Sequence, residues 1–169
     1  FSIGTWVRIG IQALYALKIL HDFGYVHRDV KPSNFAIGNQ DDHECARLVY
    51  VLDFGLSRSY AFKLNGRWIP RIARPKVPFR GTPKYCSPSA HDLVEQGRRD
   101  DLWSLIYILI EFHCSLPWQH HHEKKEIAKI KCYYHDNFLM QNMPHETRNL
   151  IADLRKVDYY DRPDYYSMY

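Results

Sequence analysis

The sequence predicts an α+β fold, mainly helical with one small β-hairpin, and three observations carry that expectation. Residues 5–23 place Trp6, Ile9, Ala13, Leu14, Leu17 and Leu20 at three-to-four spacing, the stripe of a helix with one buried face. Two short runs, 34–37 and 48–52, are rich in branched and aromatic side chains and flank a polar, acidic stretch from Asn39 to Glu44, which is the pattern of two paired strands. From Leu102 to Phe112 the chain is apolar nearly all the way round, marking a helix buried on every side.

Taken in order, the first helix should stop at Gly24 and deliver the chain to Tyr25-Val26-His27. Next comes His27-Arg28-Asp29-Val30-Lys31-Pro32-Ser33-Asn34, and then the hairpin, whose second strand runs straight into Asp53-Phe54-Gly55. Two polar clusters therefore sit at the two mouths of one small rigid element, where side chains can be held in fixed geometry. Residues 119–160, polar and periodic, read as connecting helices and carry no nameable chemistry. The run His120-His121-His122 is expected to be a surface loop, because three adjacent positions cannot all face one ion.

Composition bounds the rest. With 169 residues, 46% hydrophobic and 15% aromatic, the chain can bury one core, and nothing points to disorder or fibre. Cys45, Cys86, Cys114 and Cys132 lie far apart with no CxxC pair, which argues against a zinc knuckle or a disulfide framework and makes a cytoplasmic or nuclear setting the default. The stretch Leu102–Phe112 is too short to span a bilayer and is interrupted by Ser104 and Glu111. No signal-peptide pattern is seen, so no membrane partner is expected. Because the chain opens on Phe1, close to a helix, an upstream part is expected to be missing.

The net charge of +4 says less than its distribution. From Arg58 to Lys84 there are eight basic residues (Arg58, Lys63, Arg67, Arg71, Arg74, Lys76, Arg80, Lys84) and no Asp or Glu. Such a block is either a solvated loop or a cationic surface that receives an acidic or phosphorylated partner. Nucleic acid is not expected, since the block lacks the framing of a groove reader and has few aromatics to stack on bases.

The polar clusters carry the chemistry. Phosphoryl transfer needs a carboxylate at the accepting hydroxyl and oxygen ligands that hold Mg2+ on the phosphates. Asp29, Asn34 and Asp53 are residues of that kind. The His-Arg-Asp loop and the Asp-Phe-Gly step, 24 positions from Asp29 to Asp53, resemble the catalytic loop and metal loop of a protein kinase.

The chain resembles the casein kinase I superfamily, and within it the tau-tubulin kinase branch. The residues that carry the likeness are Gly24 through Ala36, Leu52-Asp53-Phe54-Gly55-Leu56, Phe79-Arg80-Gly81-Thr82, Ala90-His91, Asp100 through Leu105, Leu116-Pro117-Trp118 and Pro163-Asp164-Tyr165. They are collinear over nearly the whole length. The resemblance implies that residues 1–169 form the large C-terminal lobe of a protein-kinase-like domain. The small lobe and hinge would be missing upstream and the last helix truncated.

Residue by residue, the resemblance implies that Asp29 orients the substrate hydroxyl and takes its proton. Lys31 would neutralise the transferring phosphoryl group, and Thr82 would hydrogen-bond Asp29 and Lys31. Asn34 and Asp53 would hold Mg2+, and Lys31, Asn34, Ala36 and Asp53 would line the ATP site. His27 is read as a packed scaffold residue, and Asp101 as the acceptor for catalytic-loop amides or, more simply, as a helix cap. Arg71, Arg74, Arg80 and Lys84 would bind substrate phosphate.

The expected function is a Ser/Thr protein kinase using ATP and Mg2+ on protein substrates that are acidic or already phosphorylated, as a monomer. This chain by itself is expected to be inactive or nearly so. The alternative is an inactive pseudokinase or scaffold that binds phosphorylated or acidic partners. Three departures from the pattern stand out: Pro88 in the substrate platform, Lys84 where Arg is common, and Arg162 with no obvious acidic partner.

Overall fold

The computed structural model describes residues 2–169. Helix α1 runs Ile3–Asp22, and Ser2 caps it by accepting the Thr5 N–H at 3.2 Å, which satisfies one of the free donors of the first turn. It ends at Gly24, whose φ of +83° is a left-handed backbone that side chains resist. A Cβ there would also lie 2.6 Å from the Trp68 ring.

Six short strands follow: β1 Tyr25–Val26, β2 Phe35–Ile37, β3 Val49–Val51, β4 Arg58–Ser59, β5 Ala61–Leu64 and β6 Arg67–Pro70. They form three antiparallel pairs, β1 with β4, β2 with β3 and β5 with β6. The β2–β3 hairpin is the expected one, with Phe35 opposite Val51 and Ala36 opposite Tyr50. Asn34 itself lies one residue earlier, in a 3-10 turn over Pro32–Asn34. The β5–β6 hairpin inside the basic segment was not expected. It turns on Asn65 and Gly66, both at positive φ, +50° and +80°, the pairing that matches the twist of a two-residue hairpin.

The remaining helices are α2 Pro88–His91, α3 Arg98–His113, α4 Lys124–Tyr133, α5 Asp136–Met140 and α6 Leu150–Lys156. Helix α3 is the post of the core. Leu102 through Ile108 are all buried, as is Ile110, packed against Trp6, Ala13, Leu14 and Leu17 of α1 and against Trp118, Ile127, Ile151 and Leu154. Each such side chain contributes roughly 1.5–3 kcal/mol by leaving water. Pro88 does not disturb the platform. It occupies the first position of α2 behind the Ser87 cap, where a missing N–H costs nothing and the fixed φ suits the helix.

Among the described residues one helix, α1, is long and apolar enough by length and composition to cross a membrane, with a mean hydropathy of 1.2. One face of α1 is used against α3. The other exposes Ile11, Tyr15 and Ile19, which with Phe23, Leu48, Tyr50, Phe54 and Tyr169 line an apolar groove of about 670 Å³.

Candidate active site

The chain leaves β1 through His27, Arg28 and Asp29, and Arg28 takes a φ of +68°, a conformation that costs a non-glycine residue on the order of 1 kcal/mol. Asp101 holds it there. One carboxylate oxygen accepts the Arg28 N–H at 2.8 Å, and the other accepts the His27 N–H at 2.7 Å and pairs with His21 Nε2 at 2.9 Å. His21 in turn bonds the Tyr165 hydroxyl at 2.7 Å. The cap of α3 is a separate residue: Asp100 accepts the Gly97 N–H at 2.7 Å. Asp101 is therefore free for the loop, and the simpler cap reading belongs to its neighbour.

Asp29 is nearly buried and its carboxylate is held at both oxygens. Lys31 Nζ donates to Oδ2 at 2.7 Å and Thr82 Oγ1 donates to Oδ1 at 2.7 Å. Among the described residues Thr82 makes no bond to Lys31, so of the two contacts expected of its hydroxyl only one forms. Gly81, just before it, has a φ of +105°, and a Cβ there would meet Arg28 O at 2.7 Å. Only glycine lets this segment lie against the catalytic loop.

Asn34 is buried and donates its Nδ2 to Asp29 O at 2.9 Å, which leaves its Oδ1 without a protein partner among the described residues. Its backbone O accepts the Leu52 N–H at 2.8 Å, tying the loop to the residue before Asp53. Asp53 has a φ of +60° and caps the 3-10 turn Phe54–Leu56, with Oδ1 accepting from Gly55 N. Oδ2 stays open at the surface. Two uncommitted side-chain oxygens on neighbouring segments suit a hard cation such as Mg2+ that shares its remaining ligands with phosphate. No group of three His, Cys, Asp or Glu converges to hold a metal among the described residues, so Asn34 and Asp53 alone would not complete a cage.

His27 is fully buried. It pairs with Leu52 O through Nε2 at 3.0 Å, while Nδ1 accepts the Asp29 N–H at 3.3 Å. With both nitrogens engaged, the ring braces the loop and cannot act as a base. Ala36 lies mid-strand in β2, half-buried.

The basic block behaves differently from expectation. Glu95, from the segment before α3, is buried and takes a two-pronged contact from Arg74 at 2.5 and 3.0 Å, with Arg58 at 3.5 Å. Burial pushes the Glu95 carboxyl up, but the hydrogen bond and charge of Arg74, with Arg58 behind, outweigh it and hold the carboxyl below its ordinary range. Lys84 is likewise paired with Glu111. Arg74 and Lys84 are thus each paired with an acid distant in sequence that folds onto them. Arg80 remains exposed, and Arg71 stacks on Phe62 at 5.4 Å. Arg162 also has a partner, Asp22 at 3.2 Å. His21, Glu95, Glu111 and Lys131 were not singled out from the sequence. His21 alone left a trace there, as a polar residue four positions past Leu17 in the buried stripe of α1.

A lobe of helices around a buried post, with a clamped aspartate, an asparagine and a second aspartate at the mouths of one hairpin, defines the class. The protein kinase domain family model matches residues 2–168, and the chain belongs to that family. It is 42% identical to the inactive tau-tubulin kinase ttbk-6 of Caenorhabditis elegans, over 97% of this chain and 58% of that protein. A putative serine/threonine-protein kinase of the same organism is also 42% identical, over 99% of this chain and 48% of its own length. A probable serine/threonine-protein kinase of Dictyostelium discoideum is 40% identical, over 98% and 32%. The chain spans about half the length of the first two relatives and a third of the other.

Proposed function

We propose that the chain is the phosphoryl-transferring lobe of a Ser/Thr protein kinase of the casein kinase I group, acting on protein hydroxyls in a reducing, cytoplasmic or nuclear, setting. The observation that carries this is the Asp29 carboxylate, nearly buried and gripped by Lys31 and Thr82 at 2.7 Å each, beside an Asn34 Oδ1 with no side-chain or backbone partner among the described residues. In this reading Asp29 orients the accepting hydroxyl and takes its proton as the oxygen attacks phosphorus. Lys31 spreads the charge of the moving phosphoryl group. Asn34 Oδ1 and Asp53 would hold Mg2+, which would supply charge neutralisation on the ATP phosphates when bound. Exposed Arg71 and Arg80 support a preference for acidic or phosphorylated substrates, weaker than the full basic block suggests.

In the full-length gene product with Mg-ATP and an acidic protein, Asp29→Asn should lower the transfer rate by about 10²–10⁴-fold, the range for losing a positioned base. Undiminished transfer by that variant, or none by the wild type, refutes the reading.

That one relative is named inactive favours a second reading, a scaffold for phosphorylated partners. Phosphopeptide binding that survives Asp29→Asn but is lost when Arg71 and Arg80 are both changed to Ala would support it.

A further inference from the structure

Lys131, on α4, is 5% exposed, and among the described residues no carboxylate touches it. Its ammonium donates to Pro83 O and Cys86 O, both at 2.7 Å, and lies over the rings of Tyr107 at 4.8 Å and Trp118 at 5.1 Å. Trp118 Nε1 donates to the carbonyl between them, Lys84 O, at 2.8 Å. Three carbonyls of one short turn are therefore fastened to α4 and the segment after α3. The same turn is closed on itself, since Tyr85 N and Cys86 N both donate to Thr82 O, at 3.0 and 2.9 Å. Its first residue, Thr82, bonds the Asp29 carboxylate.

We infer that Lys131 is a positioning residue, whose ammonium holds the Thr82–Cys86 turn in the place from which Thr82 reaches Asp29. A cation buried without an opposite charge is costly, and burial pushes the Lys131 ammonium down to about 8. A methionine between the same rings would avoid that cost. The charge is explained by what it holds: charge-assisted hydrogen bonds to two carbonyls are about twice as strong as neutral ones. Because the turn is closed by its own hydrogen bonds, anchoring one end fixes the other, and a catalytic carboxylate tolerates little displacement of its partners. The functional half of this inference rests on the phosphoryl-transfer reading above. The structural half does not.

Amide hydrogen exchange at Tyr85 and Cys86 in the full-length gene product reads the turn directly and needs no catalysis. Lys131→Met should speed exchange at both by about tenfold or more, the size set by losing two such bonds, while buried amides from Ile106 to Ile110 stay within about twofold. Lys131→Arg should recover most of the protection. In the Met variant the kcat for a protein substrate falls by a similar factor while the KM for Mg-ATP holds.

Unchanged exchange at Tyr85 and Cys86, or equal acceleration along α3, overturns the inference. Should the Met variant not fold, the wild type decides. Exchange at Tyr85 and Cys86 as slow as in α3 supports anchoring, and exchange as fast as in the exposed 41–44 loop overturns it. A wild-type protein with slow exchange there but no phosphate transfer sinks the phosphoryl-transfer reading and leaves the anchoring intact.

Discussion

Asp101 shows how one buried side chain fixes the loop of a candidate site from behind. It gathers the N–H groups of His27 and Arg28 and the ring of His21 on α1, and so pins a strained Arg28 backbone to the helical core. Asp101→Asn keeps the volume but turns one acceptor atom into a donor, leaving buried donors unpaired. Urea unfolding should show a loss of about 3 kcal/mol, the cost of two orphaned buried groups. A loss under about 0.5 kcal/mol would mean that water replaces the carboxylate. The role of Asp101 toward the loop amides could be read from its motif. Its partners could not, because nothing in a helical stripe says whether a histidine in the buried register packs or bonds, and Tyr165 is 144 residues from His21.

Helix α4 illustrates the same limit one level up. Its polar periodicity announced a connecting helix, yet the ammonium it buries under the turn after Thr82 leaves no mark in a run rich in surface lysines. Lys131 gives that placement a pH signature. With the ammonium at about 8 in the folded protein and an ordinary 10.5 in the unfolded chain, the unfolded state binds more protons between those values, so stability rises with pH across them. Cys86, pushed by burial up to about 11 from an ordinary 9.0, works in the opposite sense above pH 9. The clean window is therefore pH 8 to 9, where wild-type stability should climb by about 1 kcal/mol relative to Lys131→Met. Parallel denaturation curves at the two pH values would contradict it.

The β2–β3 hairpin was legible because alternation and a polar turn both announced it. In β5–β6 the Asn65-Gly66 turn was an available signal, masked by the density of arginine and lysine around it. The same density hid the neutralisation of Arg74 and Lys84, which depends on Glu95 and Glu111 arriving from outside the block.

Across the molecule, the lobe folds around α3 and turns two faces outward. One face carries Asp29, Asn34 and Asp53, the candidate site. Beside it lies the apolar groove between α1 and the β2–β3 hairpin, larger than a lone exposed side chain can account for. A fluorescent apolar dye such as ANS should bind the 169-residue chain in its folded state, and replacing Tyr15 and Ile19 with Glu should reduce the signal by about half or more without lowering the melting temperature by more than about 2 °C. Dye binding unaffected by those changes would place the exposed apolar surface elsewhere.

Phe54 belongs to both faces. It lines the groove, meets the buried His27 ring in a tilted contact at 5.4 Å, and follows Asp53 directly in the chain. A group in the groove that displaced Phe54 would therefore also pull on the chain at Asp53. By thermodynamic reciprocity, if filling the groove changes affinity at Asp53, then binding at Asp53 changes affinity in the groove by the same factor.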